Sequence, residues 1–239
     1  MTNRFSALLV AGSLALAGGA NAAYVLNEMV SDTPSSPNHQ FVELYTDTPG
    51  ESTTGLSLIV IRTFGGALND TPTLDARIDL SGAPVGQFFL VANEAFSTTA
   101  GRPTPNQVVL DADPFLRTGP YEVLLVPTSS VDPGWVVGTY AFTGTEFNDG
   151  ADVINAVFFP DEPGLEANAV FASGDGIIPD DGGFISVGAY RDPAARADGT
   201  GGWLAHLFPG GPVGTLPAAA TPGGPNSGAS SVDDWNRYE

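Results

Sequence analysis

Read as a pattern of apolar and polar positions, the chain is a series of short strands. Tyr24–Val30 is an apolar run broken only by Asn27 and Glu28. Gln40–Tyr45 alternates, which sets Phe41 and Tyr45 on one side and Val42 and Leu44 on the other. Leu56–Ile61 is apolar and β-branched, the pattern of a central strand. Ala76–Leu80 and Gln87–Ala92 follow, separated by Ser81-Gly-Ala-Pro84. Tyr121–Val126, Trp135–Phe142, Asp152–Phe159 and Phe184–Ala189 complete the predicted strands. Asn93–Pro120, with Pro103, Pro105 and Pro114, reads as a loop, and Pro160–Gly183 as an acidic, Gly/Pro-rich one. Regular patterning fades after Arg191, and Ala218–Ser231 reads as flexible. Neither heptads, nor an internal repeat, nor an amphipathic helix emerges. Short strands divided by turn residues predict an all-β sandwich.

The beginning of the chain has a different character. Arg4 precedes an apolar stretch from Phe5 to Leu16, and small residues then lead to Ala20-Asn21-Ala22. That layout is a secretory signal. Cleavage is expected after Ala22, with Ala23 as the alternative. The apolar run is about twelve residues, well short of the roughly 20 that cross a bilayer. No later segment is long and apolar enough to span, so the mature chain is expected to be extracytoplasmic, secreted or periplasmic, with no membrane span.

Composition narrows the partners. The full chain has 239 residues, with 14 Phe, 6 Tyr and 3 Trp, enough large side chains to fill a core despite 30 Gly and 20 Pro. There is no Cys, which removes disulfides, thiol catalysis and cysteine zinc sites. Every cation is Arg, and the formal net charge is −19. Such an excess of carboxylates repels phosphate backbones and anionic lipid, so nucleic acid is not an expected partner. Divalent cations, salty surroundings or plain solubility suit it.

Three stretches, in order, resemble the lamin-tail domain in its bacterial exported form. Val25-Leu-Asn-Glu-Met29 is similar to the family's opening strand with its Asn-Glu pair. Phe41-Val-Glu-Leu-Tyr45 followed by Leu56-Ser-Leu-Ile-Val60 resembles the next two strands. Thr221-Pro-Gly-Gly-Pro-Asn226 resembles the family's closing Thr-Pro-Gly-x-Pro-Asn. The family's Arg and Pro-Asp-Gly stretch is spread here over Arg191–Thr200. The likeness spans Tyr24–Asn226 and implies an immunoglobulin-like β-sandwich over residues 23–226, followed by a tail at 227–239. It implies no catalytic residues, and bacterial members accompany hydrolase or adhesion domains.

Candidate chemistry lies first in acidic turns. Asn148-Asp149-Gly150-Ala151-Asp152, the pair Asp111 and Asp113, and above all Asp175, Asp180 and Asp181 offer the oxygens that calcium takes, with glycines for tight turning. None has EF-hand spacing, and solvated turns are the simpler account of them. Asn27, Glu28 and Glu43 sit on otherwise apolar strands, where a carboxylate needs hydrogen-bond partners; they are expected to tie the first two strands together. His39 and His206 are the only histidines, without zinc-site spacing, and His39 is expected to be exposed in a polar loop. There is no Gly-x-Ser-x-Gly elbow and, without Lys, no phosphate loop. Trp135 reads as core, while Trp203 and Trp235 are open to sugar stacking. The expected function is a non-catalytic module contacting an unknown protein or surface component, steadied by calcium if the acidic turns bind it. A metal-dependent hydrolase and a carbohydrate-binding module are the alternatives.

Overall fold

The computed structural model describes residues 24–31, 39–46, 48–63, 71–110, 115–116, 120–147, 152–160, 168–172, 176–178, 186–191, 202–207, 216–217 and 220–226. Among them run β1 (Tyr24–Val30), β2 (Phe41–Thr46), β3 (Leu56–Arg62), β4 (Thr73–Asp79) and β5 (Phe88–Asn93). The one-turn helix α1 (Glu94–Ser97) follows, then β6 (Gln107–Val109), β7 (Tyr121–Pro127), β8 (Asn155–Phe159), β9 (Ser186–Arg191) and β10 (Trp203–Leu207). No helix among the described residues is long and apolar enough to cross a membrane.

The strands form two sheets. One has six strands in the order β10-β9-β1-β2-β5-β6, the other four in the order β4-β3-β7-β8. Neighbours are antiparallel throughout except β5 and β6, which run parallel. Alternation decides what each face buries. Leu26, Met29, Val42, Leu44, Phe89, Val91 and Trp203 of the larger sheet meet Leu58, Val60, Val123, Leu125, Val157 and Phe159 of the smaller in one core. The protein is therefore all-β, two sheets packed face to face.

Both outer faces are also covered. On the six-stranded sheet, Val30, Phe41, Leu90 and Ala92 pack with Phe96, Leu216 and Ala220. On the four-stranded sheet, Ile59, Ile61, Leu74, Leu124 and Val126 lie under Trp135, Phe142, Phe147, Val170 and Phe171. These outward-pointing residues are thus buried as well.

Several expected elements moved. Phe41 packs on the outer face and Val42 and Leu44 on the inner, as the alternation requires. Trp135–Phe142, expected as a strand, turns instead: Thr139 and Tyr140 N–H both donate back to the Val136 carbonyl, at 3.1 and 2.9 Å. Its aromatic residues fold onto the sheet, with Trp135 5.3 Å from Phe142 and 5.4 Å from Phe147 between ring centres. The loop expected over Asn93–Pro120 contains α1 and β6, and β10 lies where patterning fades. β9 lies so close to β1 that a Cβ at Gly188 would overlap the Met29 carbonyl.

Candidate functional site

The densest polar cluster grows from an irregularity in β1. Leu26 pairs with Leu44 and Glu28 with Glu43, so Asn27 is an extra residue in the register. A bulge of this kind turns neighbouring side chains toward one face and frees backbone groups from the ladder. Asn155 and Arg191 take those freed groups. Leu26 N–H donates to Asn155 Oδ1 at 3.1 Å, and Arg191 Nε donates to the Leu26 carbonyl at 2.6 Å. Arg191 also donates to Asn155 Oδ1 at 3.1 Å and stacks 4.7 Å above the Trp203 ring.

Across the bulge, Asn27 Nδ2 donates to Glu43 Oε1 at 2.6 Å. The expected tie between the first two strands is present, but the same residues do more. Thr221 N–H donates to both oxygens of Glu28 at 3.1 Å, and Gly223 N–H donates to Glu43 Oε2. Asn226 Nδ2 donates to the Arg191 carbonyl at 2.7 Å and to the Asn27 carbonyl at 3.2 Å. Its Oδ1 accepts from Asn27 Nδ2 at 3.2 Å. The closing Thr221–Asn226 segment is strapped over the outer face by carboxylates and amides that are themselves fully buried.

His206 completes the cluster from β10. Its Nε2 lies 2.9 Å from Glu28 Oε1, and its ring packs tilted against Tyr190, 4.7 Å between centres. Its Nδ1 is buried with no hydrogen-bond partner among the described residues. Glu28 and Glu43 sit directly opposite each other, an arrangement that disfavours two charges. Burial and then the Glu28 charge push the Glu43 carboxyl well above the usual carboxylate range, against the hydrogen bonds from Gly223 and Asn27.

A second buried carboxylate serves the other sheet. Glu122 on β7 points outward and accepts from the backbone N–H of Val170 at 3.1 Å, Phe171 at 2.9 Å and Ala172. Burial raises its pKa to about 7 even though those three donors pull it down. Nothing in the sequence distinguishes Glu122, because its donors are backbone groups that any residue except Pro supplies.

The remaining candidates fall out differently. Asp175, Asp180 and Asp181, the expected calcium ligands, lie outside the described residues, as do Asp111, Asp113, Asp149, the leader and Trp235. Asp152 accepts from Ser130 Oγ at 2.9 Å. Among the described residues no group of three or more carboxylates or histidines is arranged to hold a metal. His39 is buried rather than exposed, because the turn after α1 folds over it. Thr99 Oγ1 lies 3.3 Å from its Nδ1, and burial followed by the Arg102 charge lowers its pKa. Trp135 and Trp203 are both buried, so neither ring presents a face to a sugar.

Chemically, a histidine beside two carboxylates resembles an acid–base set. Here the two carboxylates accept from the backbone N–H groups of Thr221 and Gly223 and from the Asn27 amide, and all three side chains are buried. No family model, curated protein or solved structure matches this chain.

Proposed function

We propose that the chain is an exported, non-catalytic module of the immunoglobulin-like kind that the lamin-tail likeness implies, contacting a protein or cell-surface component. One observation carries this reading. The side chains with the strongest chemistry among the described residues, Glu28, Glu43, His206 and Glu122, are buried, and the three carboxylates hold covering segments in place. The opening Asn-Glu pair and the closing Thr-Pro-Gly-Gly-Pro-Asn stretch, the two ends of the resemblance, bond to each other, which supports a sandwich closed by its own motif.

The test has two arms. Expressed with its leader in a bacterial host, the chain is expected outside the cytoplasm with Ala23 at its N-terminus, read by intact mass. The labelled mature chain is expected to bind the envelope of the producing cell saturably. It is also expected to turn over no ester, phosphate or glycoside substrate with calcium, magnesium, manganese or zinc. Metal-dependent turnover that tracks with the protein through purification overturns the module reading in favour of a hydrolase.

A further inference from the structure

The edge of a sheet presents unpaired N–H and C=O groups and accepts another strand unless something blocks it. Two edges here are blocked by the chain's own backbone. At β4, Leu74 N–H donates to the Tyr140 carbonyl at 2.9 Å, and Gly138 N–H to the Leu74 carbonyl at 2.7 Å. At β8, Phe158 bridges to Ile177, and Ile178 N–H donates to the Phe158 carbonyl at 3.0 Å. The edge at β6 differs, for among the described residues β6 pairs with β5 alone.

That edge is also apolar. Val108 is 37% exposed, Leu110 79% and Val85 87%. Val85 belongs there because its turn is tied to β6: Asn106 Nδ2 donates to the Ala83 carbonyl at 2.9 Å, and Ser81 N–H to Gln107 Oε1 at 3.1 Å. The other exposed large apolar side chains among the described residues, Val136 and Val137, lie on the turn after Trp135. Large apolar side chains gathered on an open edge mark a docking surface.

Charge selects the occupant. The chain carries −19, and exposed Glu94 follows Asn93, the β5 partner of Val109. A second copy would bring the same sign of charge to this edge, whereas a cationic strand brings the opposite sign. We propose that the β6 edge receives an extended, cationic segment of a partner protein. The segment adds to the six-stranded sheet and seats alternate apolar side chains against Val85, Val108 and Leu110. The proposal rests on the binding-module reading and names the kind of partner that module takes.

The probe is a short labelled peptide alternating arginine and valine, titrated against the mature chain by fluorescence anisotropy. Saturable binding that weakens with salt is expected. The double variant Val85→Arg/Leu110→Arg, at exposed positions, is expected to keep the melting temperature and weaken binding roughly tenfold or more. Val136→Arg, at the other exposed apolar site, is expected to leave the affinity unchanged. No saturable binding, or equal binding by the double variant, overturns the proposal. A concentration-dependent dimer lost in the double variant would give the edge to a second copy and overturn it too. If the double variant still binds the producing cell's envelope while peptide binding is absent, the module reading stands and only the β6 assignment falls.

Discussion

The outer faces of the two sheets are covered by the same device built from different parts. On the six-stranded sheet, Glu28 and Glu43 hold the closing segment with the help of Asn27, Asn226, Arg191 and His206. On the four-stranded sheet, a single carboxylate, Glu122, ties down residues 170–172 through three backbone N–H groups. Two carboxylates in direct opposition need amides, a histidine and a displaced proton to coexist, so the identities of their neighbours matter. One carboxylate ringed by amide hydrogens needs only a chain that turns toward it. The first clamp constrains side chains at both ends of the sequence, and the second constrains a backbone path.

The largest effect is expected from breaking the first clamp at Glu28. Glu28→Ala leaves the buried His206 Nε2 without a partner and takes the acceptor from the half-buried Thr221 N–H. Removing one member of such a buried polar pair costs about 3–5 kcal/mol. For a domain of this size each kcal/mol is worth roughly 2–4 °C, so chemical denaturation and melting both have the range to read it. Loss of less than about 1 kcal/mol would mean that the closing segment is held by its apolar contacts instead.

Glu122 comes next and brings a pH signature. Glu122→Ala strips three backbone donors of their acceptor and is expected to cost about 3 kcal/mol, with water recovering part of the loss. Its pKa is raised from 4.5 to about 7 by folding. The folded chain therefore holds this proton more tightly than the unfolded chain. The favourable contribution is complete below about pH 4.5 and is lost as pH rises through about 7. Glu43 shifts in the same direction. His39, whose pKa burial lowers, works in the opposite sense over the same range. Glu122→Gln is thus expected to lose stability at pH 5 relative to pH 7.5 when compared with the wild type. The pH dependence that remains in Glu122→Gln contains the shares of Glu43 and His39, separating Glu122 from them in one measurement. A variant with the full wild-type pH dependence would remove Glu122 from the titration.

The same contrast explains what could be read from the sequence. Asn27, Glu28, Glu43 and Asn226 stand out because polar residues at fixed places in apolar or Gly/Pro-rich stretches are chemically conspicuous. The alternation of β2 is equally plain, while β3, β5 and β7 stand out as near-continuous apolar runs because both of their faces are covered. The outer faces misled because they are covered. His39 and His206 look like surface residues by type, yet chain folded over each removes solvent. Trp135–Phe142 carries a strand's composition, but its rings are used as a lid and its backbone turns back on itself. β6 is only three residues long beside Pro103 and Pro105, too short for a period to show. Glu122 left no trace, its partners being backbone groups.

Smaller effects are expected where the two clamps differ in kind. Asn226→Ala removes the donor to the Arg191 and Asn27 carbonyls and the acceptor for Asn27, while the Glu28 and Glu43 bonds to Thr221 and Gly223 persist. A cost of about 1–3 kcal/mol follows from the unpaired buried amide and carbonyls, measured as a shift in denaturation midpoint at constant slope.

Val170 tests the opposite side of the comparison. Its N–H belongs to the Glu122 clamp, but its half-buried side chain only borders the aromatic cover. Val170→Ala keeps the donor and loses two methyl groups at a partly exposed site, so about 1 kcal/mol or less is expected. Val170→Pro in the same position deletes the N–H and restricts the turn, and is expected to cost at least as much as losing one buried hydrogen bond, about 1–3 kcal/mol. If the alanine variant proved the worse of the two, the segment would be held by its side chain. The distinction between a clamp of identities and a clamp of backbone would then collapse. A small alanine effect beside a larger proline one places the restraint on the N–H of residue 170, which is why the sequence carries no motif for it.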